Sequence, residues 1–198
     1  MEVSSESVRE LREKTGAGML DCKKALVQAA GDIEKAVVFL REKGLASAEK
    51  KSGRATKEGL VNAYIHGNGR IGVLIEVNCE TDFVSRNEKF QQMVKDIAMH
   101  VAALNPRFVS SEEIPQEVKD SEMAIYRTQA TESGKPANIV EKMVEGRYKK
   151  FCEEVCLLSQ PYVKKPEQTV LDYVKENISV IGENISVRRF VRWQLGEK

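Results

Sequence analysis

Few residues in this chain have the means for chemistry: four cysteines (Cys22, Cys79, Cys152, Cys156), two histidines (His66, His100), and one run, Asp82-Phe83, where a carboxylate stands beside a large aromatic. The cysteines are scattered through otherwise regular apolar patterns and no CxxC occurs, so reduced thiols are expected and a zinc site has little support. Cys152 and Cys156 lie one helical turn apart and would need further metal ligands from elsewhere. A thiol enzyme pairing Cys79 with a histidine is one reading, but a cysteine ending an apolar strand is more simply a small core residue. Gly67-Asn68-Gly69 lacks the helix start and the Lys-Ser/Thr of a phosphate loop and reads as a turn. No cofactor, no metal and no catalytic residue is expected, and the chain reads as a binding protein.

The elements around Asp82-Phe83 are the clearest in the sequence. Upstream, Ile71, Val73, Ile75 and Val77 alternate with mostly polar or small neighbours, the period-two signature of a half-buried strand. Downstream, Ser85 and Glu88 have capping-box spacing, and Phe90, Val94, Ile97, Val101 and Leu104 mark one helical face. Thr81, Asp82, Phe83 and Val84 therefore sit on a short connection fixed at both ends, where binding residues are common. Pattern alone leaves two readings of Phe83 open. It is either the hydrophobic staple of the next helix, with Asp82 favoured by the helix dipole, or an exposed binding side chain.

The run NCETDFVSRNEKF, together with RELREKTGAGMLDCKKAL near the N-terminus, the unit GRIGVLIEVNCETDFV and the terminal GENISVRRF, resembles translation elongation factor Ts over nearly the whole chain. The resemblance implies a guanine-nucleotide exchange factor that releases GDP from elongation factor Tu in translation elongation and engages its GDP and nucleotide-free forms. It implies an exchange-active loop at Thr81, Asp82, Phe83 and Val84, with Asp82 and Phe83 intruding beside the partner's magnesium and phosphate site. It also implies a docking region at Thr15, Gly16, Ala17, Gly18, Met19 and Lys23. The loop at Met19 is similar to the hydrophobic loop of ubiquitin-associated (UBA) domains, the fold known for this part of the family.

With 31 Lys and Arg against 30 Asp and Glu, the chain has no overall basic field to gather nucleic acid or an anionic membrane, and a protein partner fits better. No apolar run is long enough to span a bilayer, and the opening Met-Glu-Val-Ser-Ser-Glu lacks the regions of a signal peptide, so a cytoplasmic protein is expected. An RNA- or ribosome-associated adaptor without exchange activity is the alternative; it lacks a basic stripe and an aromatic platform.

The fold class expected is α+β. Residues 1–45 predict a UBA-like three-helix bundle, with Ser4 as first cap, breaks at Gly16 and Gly18, a cap at Asp32 and closure at Gly44. Residues 46–56 are small and charged without apolar period and read as a mobile linker. Residues 57–198 predict a core of three antiparallel strands covered by helices on one face. Two strands form a hairpin in which Val61, Ala63 and Ile65 alternate with Leu60, Asn62 and Tyr64, and the third runs from Ile185 through Val187, Val191, Trp193 and Leu195, with Arg189 interrupting its apolar face. Pro115 opens a helix running toward Ser133-Gly134-Lys135-Pro136. A second, marked by Val140, Val144, Tyr148, Phe151 and Val155 and ended by Gln160-Pro161, makes a helical hairpin with it, and Leu171, Val174 and Ile178 mark a short helix. Three strands leave two edges exposed, and the Trp193-bearing strand offers apolar side chains for a two-fold interface, so a homodimer is expected.

Overall fold

A computed structural model describes residues 3–132, 134 and 136–197. Ser133 and Lys135, expected at the hairpin tip, and the terminal Met1, Glu2 and Lys198 lie outside the described residues. Three helices open the chain. Helix α1 (Ser5–Thr15) starts at Ser4, whose hydroxyl accepts the Ser7 N–H at 3.1 Å, and stops at Gly16, which turns to φ +67° and donates its N–H to the Arg12 carbonyl. Helix α2 (Met19–Gln28) follows after Gly18, and α3 (Ile33–Lys51) starts at Asp32, whose carboxylate accepts the Lys35 N–H at 3.0 Å. Leu11, Cys22, Ala25, Leu26, Ala36 and Leu40 bury their side chains in one cluster at the centre of this bundle.

Helix α3 does not close at Gly44. It continues through 46–51, residues expected to be linker, and only the stretch after Lys51 is irregular before the first strand. The reason is a close approach that the sequence does not announce. A Cβ on Gly44 would stand 2.9 Å from the Ser179 hydroxyl oxygen and 3.2 Å from its Cβ. Here glycine removes a side chain so that α3 can lie against helix α8 (Val170–Ile181), and the pairs Arg41–Glu176 at 3.7 Å and Lys175–Glu49 at 3.0 Å flank that crossing.

Strands β1 (Glu58–His66) and β2 (Ile71–Cys79) are joined by Gly67, Asn68 and Gly69, all at positive φ, the chemistry a tight hairpin turn requires. Along β2, Val73, Ile75, Val77 and Cys79 are buried while Leu74 is exposed, so one face is covered. On β1 the covered set is the reverse of the more apolar one: Leu60, Asn62 and Tyr64 are half-buried, whereas Val61, Ala63 and Ile65 are exposed. Alternation fixes the period but not which face is inward.

After β2 comes a single helical turn, α4 (Asp82–Ser85), and then α5 (Glu88–Leu104), which buries Phe90, Met93, Val94, Ile97, Ala98 and Val101. The expected Ser85–Glu88 capping box does not form. The Ser85 hydroxyl donates to the Asp82 carbonyl within α4 at 2.7 Å, and Asn87 caps α5 instead by accepting the Lys89 N–H at 2.9 Å.

Helices α6 (Gln116–Thr131) and α7 (Ala137–Val155) form the helical hairpin, closed by one cluster around Ile114, Phe151, Cys152 and Cys156 and a second around Ala130, Val140 and Val144. Helix α7 stops at Val155, before Gln160-Pro161. A short antiparallel pair, β3 (Pro161–Tyr162) and β4 (Lys165–Thr169), then intervenes; its prolines masked it in the sequence. In α8 the buried stripe is Val170, Val174 and Ile178, with Leu171 exposed. Strand β5 (Ile185–Gln194) ends the fold.

Among the described residues the main sheet is antiparallel with order β1-β2-β5, which puts β5 and its exposed Arg189 at an edge. The chain divides into two compact units, one of Met1–Asn62, Glu76–Lys95 and Asp172–Val187, the other of Ala63–Ile75, Asp96–Leu171 and Arg188–Lys198. No helix among the described residues is long and apolar enough to cross a membrane.

Candidate functional site

Phe83 is 80% exposed. This excludes the staple: a staple side chain is packed against the helix it precedes, whereas this ring faces solvent from the middle of α4. Asp82, beside it, is held at 2.9 Å by Arg86 one turn on, an exposed pair of the kind worth about 0–1 kcal/mol and easily exchanged for another partner. Val84 is half-buried and Thr81 exposed, with extended backbone at φ −128° and ψ 156°.

The connection is tied down from outside. The Glu183 carboxylate accepts the N–H of Glu80 at 3.1 Å, the N–H of Thr81 at 3.0 Å and the Thr81 hydroxyl at 2.6 Å. In return Glu80 accepts the Asn184 N–H at 2.6 Å. Neither Glu183 nor Asn184 stood out in the sequence as part of this loop; their place in the GENISVRRF run was the one available signal.

Cys79, the last residue of β2, is fully buried, donates its S–H to the Thr81 carbonyl at 3.1 Å and has its thiol pushed up to about 11, chiefly by burial and then by the nearby Glu183 charge. A thiol in that environment is a poor nucleophile at neutral pH. This counts against the thiol-enzyme reading.

The second predicted stretch forms the turn between α1 and α2. Thr15 closes α1 by donating its hydroxyl to the Leu11 carbonyl at 2.7 Å and accepting the Ala17 N–H, while Gly18 leads into α2. Met19 is 60% exposed and Leu20 74%, and Lys23 projects one turn further on. Leu20 was missed, as was Val27, because both fall off the buried stripe of Cys22, Ala25 and Leu26, and off-stripe apolar residues carry no periodic signal. With Lys23, Lys24, Phe39 and Lys43 they line an apolar groove with a basic rim. The two stretches approach a common helix start: Lys89, in the first turn of α5, has its ammonium 3.5 Å from where a Cβ on Gly16 would stand. Among the described residues no cluster of His, Cys, Asp and Glu could hold a metal ion.

This arrangement offers an exposed aromatic and a carboxylate on a braced turn, plus an exposed apolar groove rimmed by lysines. Comparison with known proteins gives the family. A family model described as Elongation factor TS matches residues 32–197. Elongation factor Ts of Carboxydothermus hydrogenoformans is 60% identical over 98% of this chain and 90% of its own length. That of Caldanaerobacter subterraneus subsp. tengcongensis is 58% identical over 98% of both chains, and that of Geotalea uraniireducens 58% identical over 100% of this chain and 91% of its own. The chain belongs to the elongation factor Ts family.

Proposed function

We propose that this protein is a non-enzymatic guanine-nucleotide exchange factor for elongation factor Tu, working in the cytoplasm without a cofactor of its own. The observation that carries the reading is Phe83, a large apolar side chain left 80% exposed on a turn held rigid at its base. An isolated exposed phenylalanine costs little, but one fixed on a braced turn is arranged to be buried elsewhere.

The physical action follows from linkage. A GTP-binding partner holds GDP through magnesium and through backbone donors around the phosphates. A protein speeds release only if it binds the GDP-free form better, and bound GDP then weakens its grip by the same factor. Burying Phe83 between partner elements supplies roughly 1.5 to 3 kcal/mol of that difference, a factor of about ten to a hundred. Asp82 acts beside it by crowding and repelling the groups around the magnesium, since one carboxylate makes a poor site for the ion itself. Thr81 and Val84 frame the pair. Thr15, Gly16, Ala17, Gly18, Met19 and Lys23 dock the partner through the exposed turn ahead of α2, a UBA-like surface. In this reading residues 1–45 are the docking domain, 46–56 its connection, of which 46–51 continue α3 as helix, and 57–198 the core.

We further read the protein as a homodimer. In the second compact unit, Ile65, Leu74, Trp193 and Leu195 are exposed on β1, on β2, on β5 and just past its end, and the Ile65 Cδ1 lies 3.5 Å from where a Cβ on Gly72 would stand. An apolar patch of this kind on a sheet with free edges suits a self-complementary interface. The exchange reading is tested by release of labelled GDP from elongation factor Tu with and without this protein, where no acceleration at saturating protein would overturn it.

A further inference from the structure

We infer that Glu183 is the positioning residue of the exchange loop, an inference that rests on the reading just given and deepens it. Strand β2 ends at Cys79 and β5 begins at Ile185, so the N–H groups of Glu80, Thr81 and Asn184 lie just past the ends of these strands. Backbone donors in such a place need other partners. Two carboxylates supply them crosswise: Glu183 takes the donors at 80 and 81, and Glu80 takes the donor at 184. Asn184, 5% exposed, extends the tie by donating its carboxamide to the Ser52 and Arg54 carbonyls at 3.2 and 2.8 Å.

Thr81 shows what this does to the loop. It is the N-cap of α4, where a threonine hydroxyl ordinarily accepts from an N–H of the helix it begins. Here the hydroxyl makes no such cap and donates outward to Glu183 at 2.6 Å. One helical turn has too few hydrogen bonds to define its own direction. The aim of α4, and so of the solvent-facing Phe83 two residues on, is therefore set by Glu183. Without that anchor the loop samples other directions, and the fraction aimed correctly multiplies the observed activity. Docking through the turn ahead of α2 does not depend on it.

The test uses the full chain and stopped-flow release of labelled GDP from elongation factor Tu, comparing wild type, Glu183→Ala, Glu183→Gln, Phe83→Ala and the double variant Glu183→Ala/Phe83→Ala. Loss of the anchor in Glu183→Ala lowers the maximal release rate by about tenfold or more, with the half-saturating concentration within about twofold of wild type. Glu183→Gln stays within about threefold, because its carboxamide oxygen accepts the two N–H groups while its amide donates to the Thr81 hydroxyl. The double variant is slower than Phe83→Ala alone only by the share that Asp82 contributes from the same turn, well short of the product of the two single losses. A full rate in Glu183→Ala, a Gln variant as slow as the Ala variant, or losses that multiply in the double variant each overturn the assignment. Amide hydrogen exchange at Glu80 and Thr81 in the free protein is the second readout. Glu183→Ala speeds it and Phe83→Ala does not; unchanged exchange in Glu183→Ala overturns the anchoring even if the wild type fails to accelerate GDP release, a failure that would fall on the functional reading.

Discussion

The Nε2 of His100 lies 2.9 Å from Oε1 of Gln160, with both side chains buried. The Val163 N–H donates to the other ring nitrogen, Nδ1, at 3.2 Å, so the proton must sit on Nε2 and point at Gln160, which passes the chain on by donating to the Glu154 carbonyl at 2.7 Å. A second proton would set an N–H on Nδ1 against the N–H of Val163. Burial, opposed in part by the Gln160 hydrogen bond, lowers the ring's pKa below its usual 6.5. Below about pH 6.5 the unfolded chain thus takes up a proton that the folded ring refuses. This contribution to stability is full above that pH and is lost as the pH falls toward the folded-state pKa, at no more than about 1.4 kcal/mol per pH unit. Urea unfolding between pH 7 and 5.5 is expected to show that slope in the wild type and a flatter profile in His100→Asn; equal slopes would contradict it.

At Gly59, φ is +152° and a Cβ would stand 2.3 Å from the Val77 carbonyl oxygen and 2.7 Å from the Asn78 Cα, both backbone. Neither neighbour can turn aside. Gly59→Ala is expected to cost about 2 kcal/mol or more by strain and strand displacement, read as a lower denaturant midpoint. A midpoint equal to that of the wild type would mean that β1 and β2 adjust freely there.

All four cysteines are buried, with the Cys79 thiol pushed up to about 11 and that of Cys156 to about 12, burial being the first cause in both. Thiol labelling of the native protein at neutral pH is expected to be slow at every cysteine and to proceed only on unfolding. One rapidly labelled thiol, Cys79 above all, would reopen the enzyme reading.

How much of this was legible differs with the kind of force involved. Periodic burial was readable in β2, in α7 and along α5 from Phe90 to Val101, whereas Leu104 on the same α5 face is exposed and α6, with its weak apolar stripe, was read from Pro115. Close approach was not, since Gly44 looks the same whether it ends a helix or lets α8 pack against it, and only the position of Ser179 decides. Capping was readable by type but not by choice of partner; Asn87 displaced Ser85 because a one-turn helix claimed Ser85 first. For the site, motif likeness singled out Asp82 and Phe83, and the exposure of Phe83 counts against the staple. The brace at Glu183 joins residues about a hundred positions apart, and local patterning has no means of registering such a pair.

Exposed Trp193 and Leu195 carry the dimer proposal. Light scattering at micromolar concentration, with no partner present, is expected to give twice the chain mass, falling toward a single mass on dilution and in Trp193→Asp. A clean monomer mass for the wild type would end the proposal.

The central claim is that Phe83 drives GDP release. Its most direct measurement is the rate of labelled GDP release from elongation factor Tu at saturating wild type and at saturating Phe83→Ala. The wild type is expected to accelerate release and the variant to fall short by about ten- to a hundredfold, with a nearly unchanged melting temperature because the residue is 80% exposed in the free protein. No acceleration by the wild type, or a Phe83→Ala variant that exchanges as fast as the wild type, would contradict it.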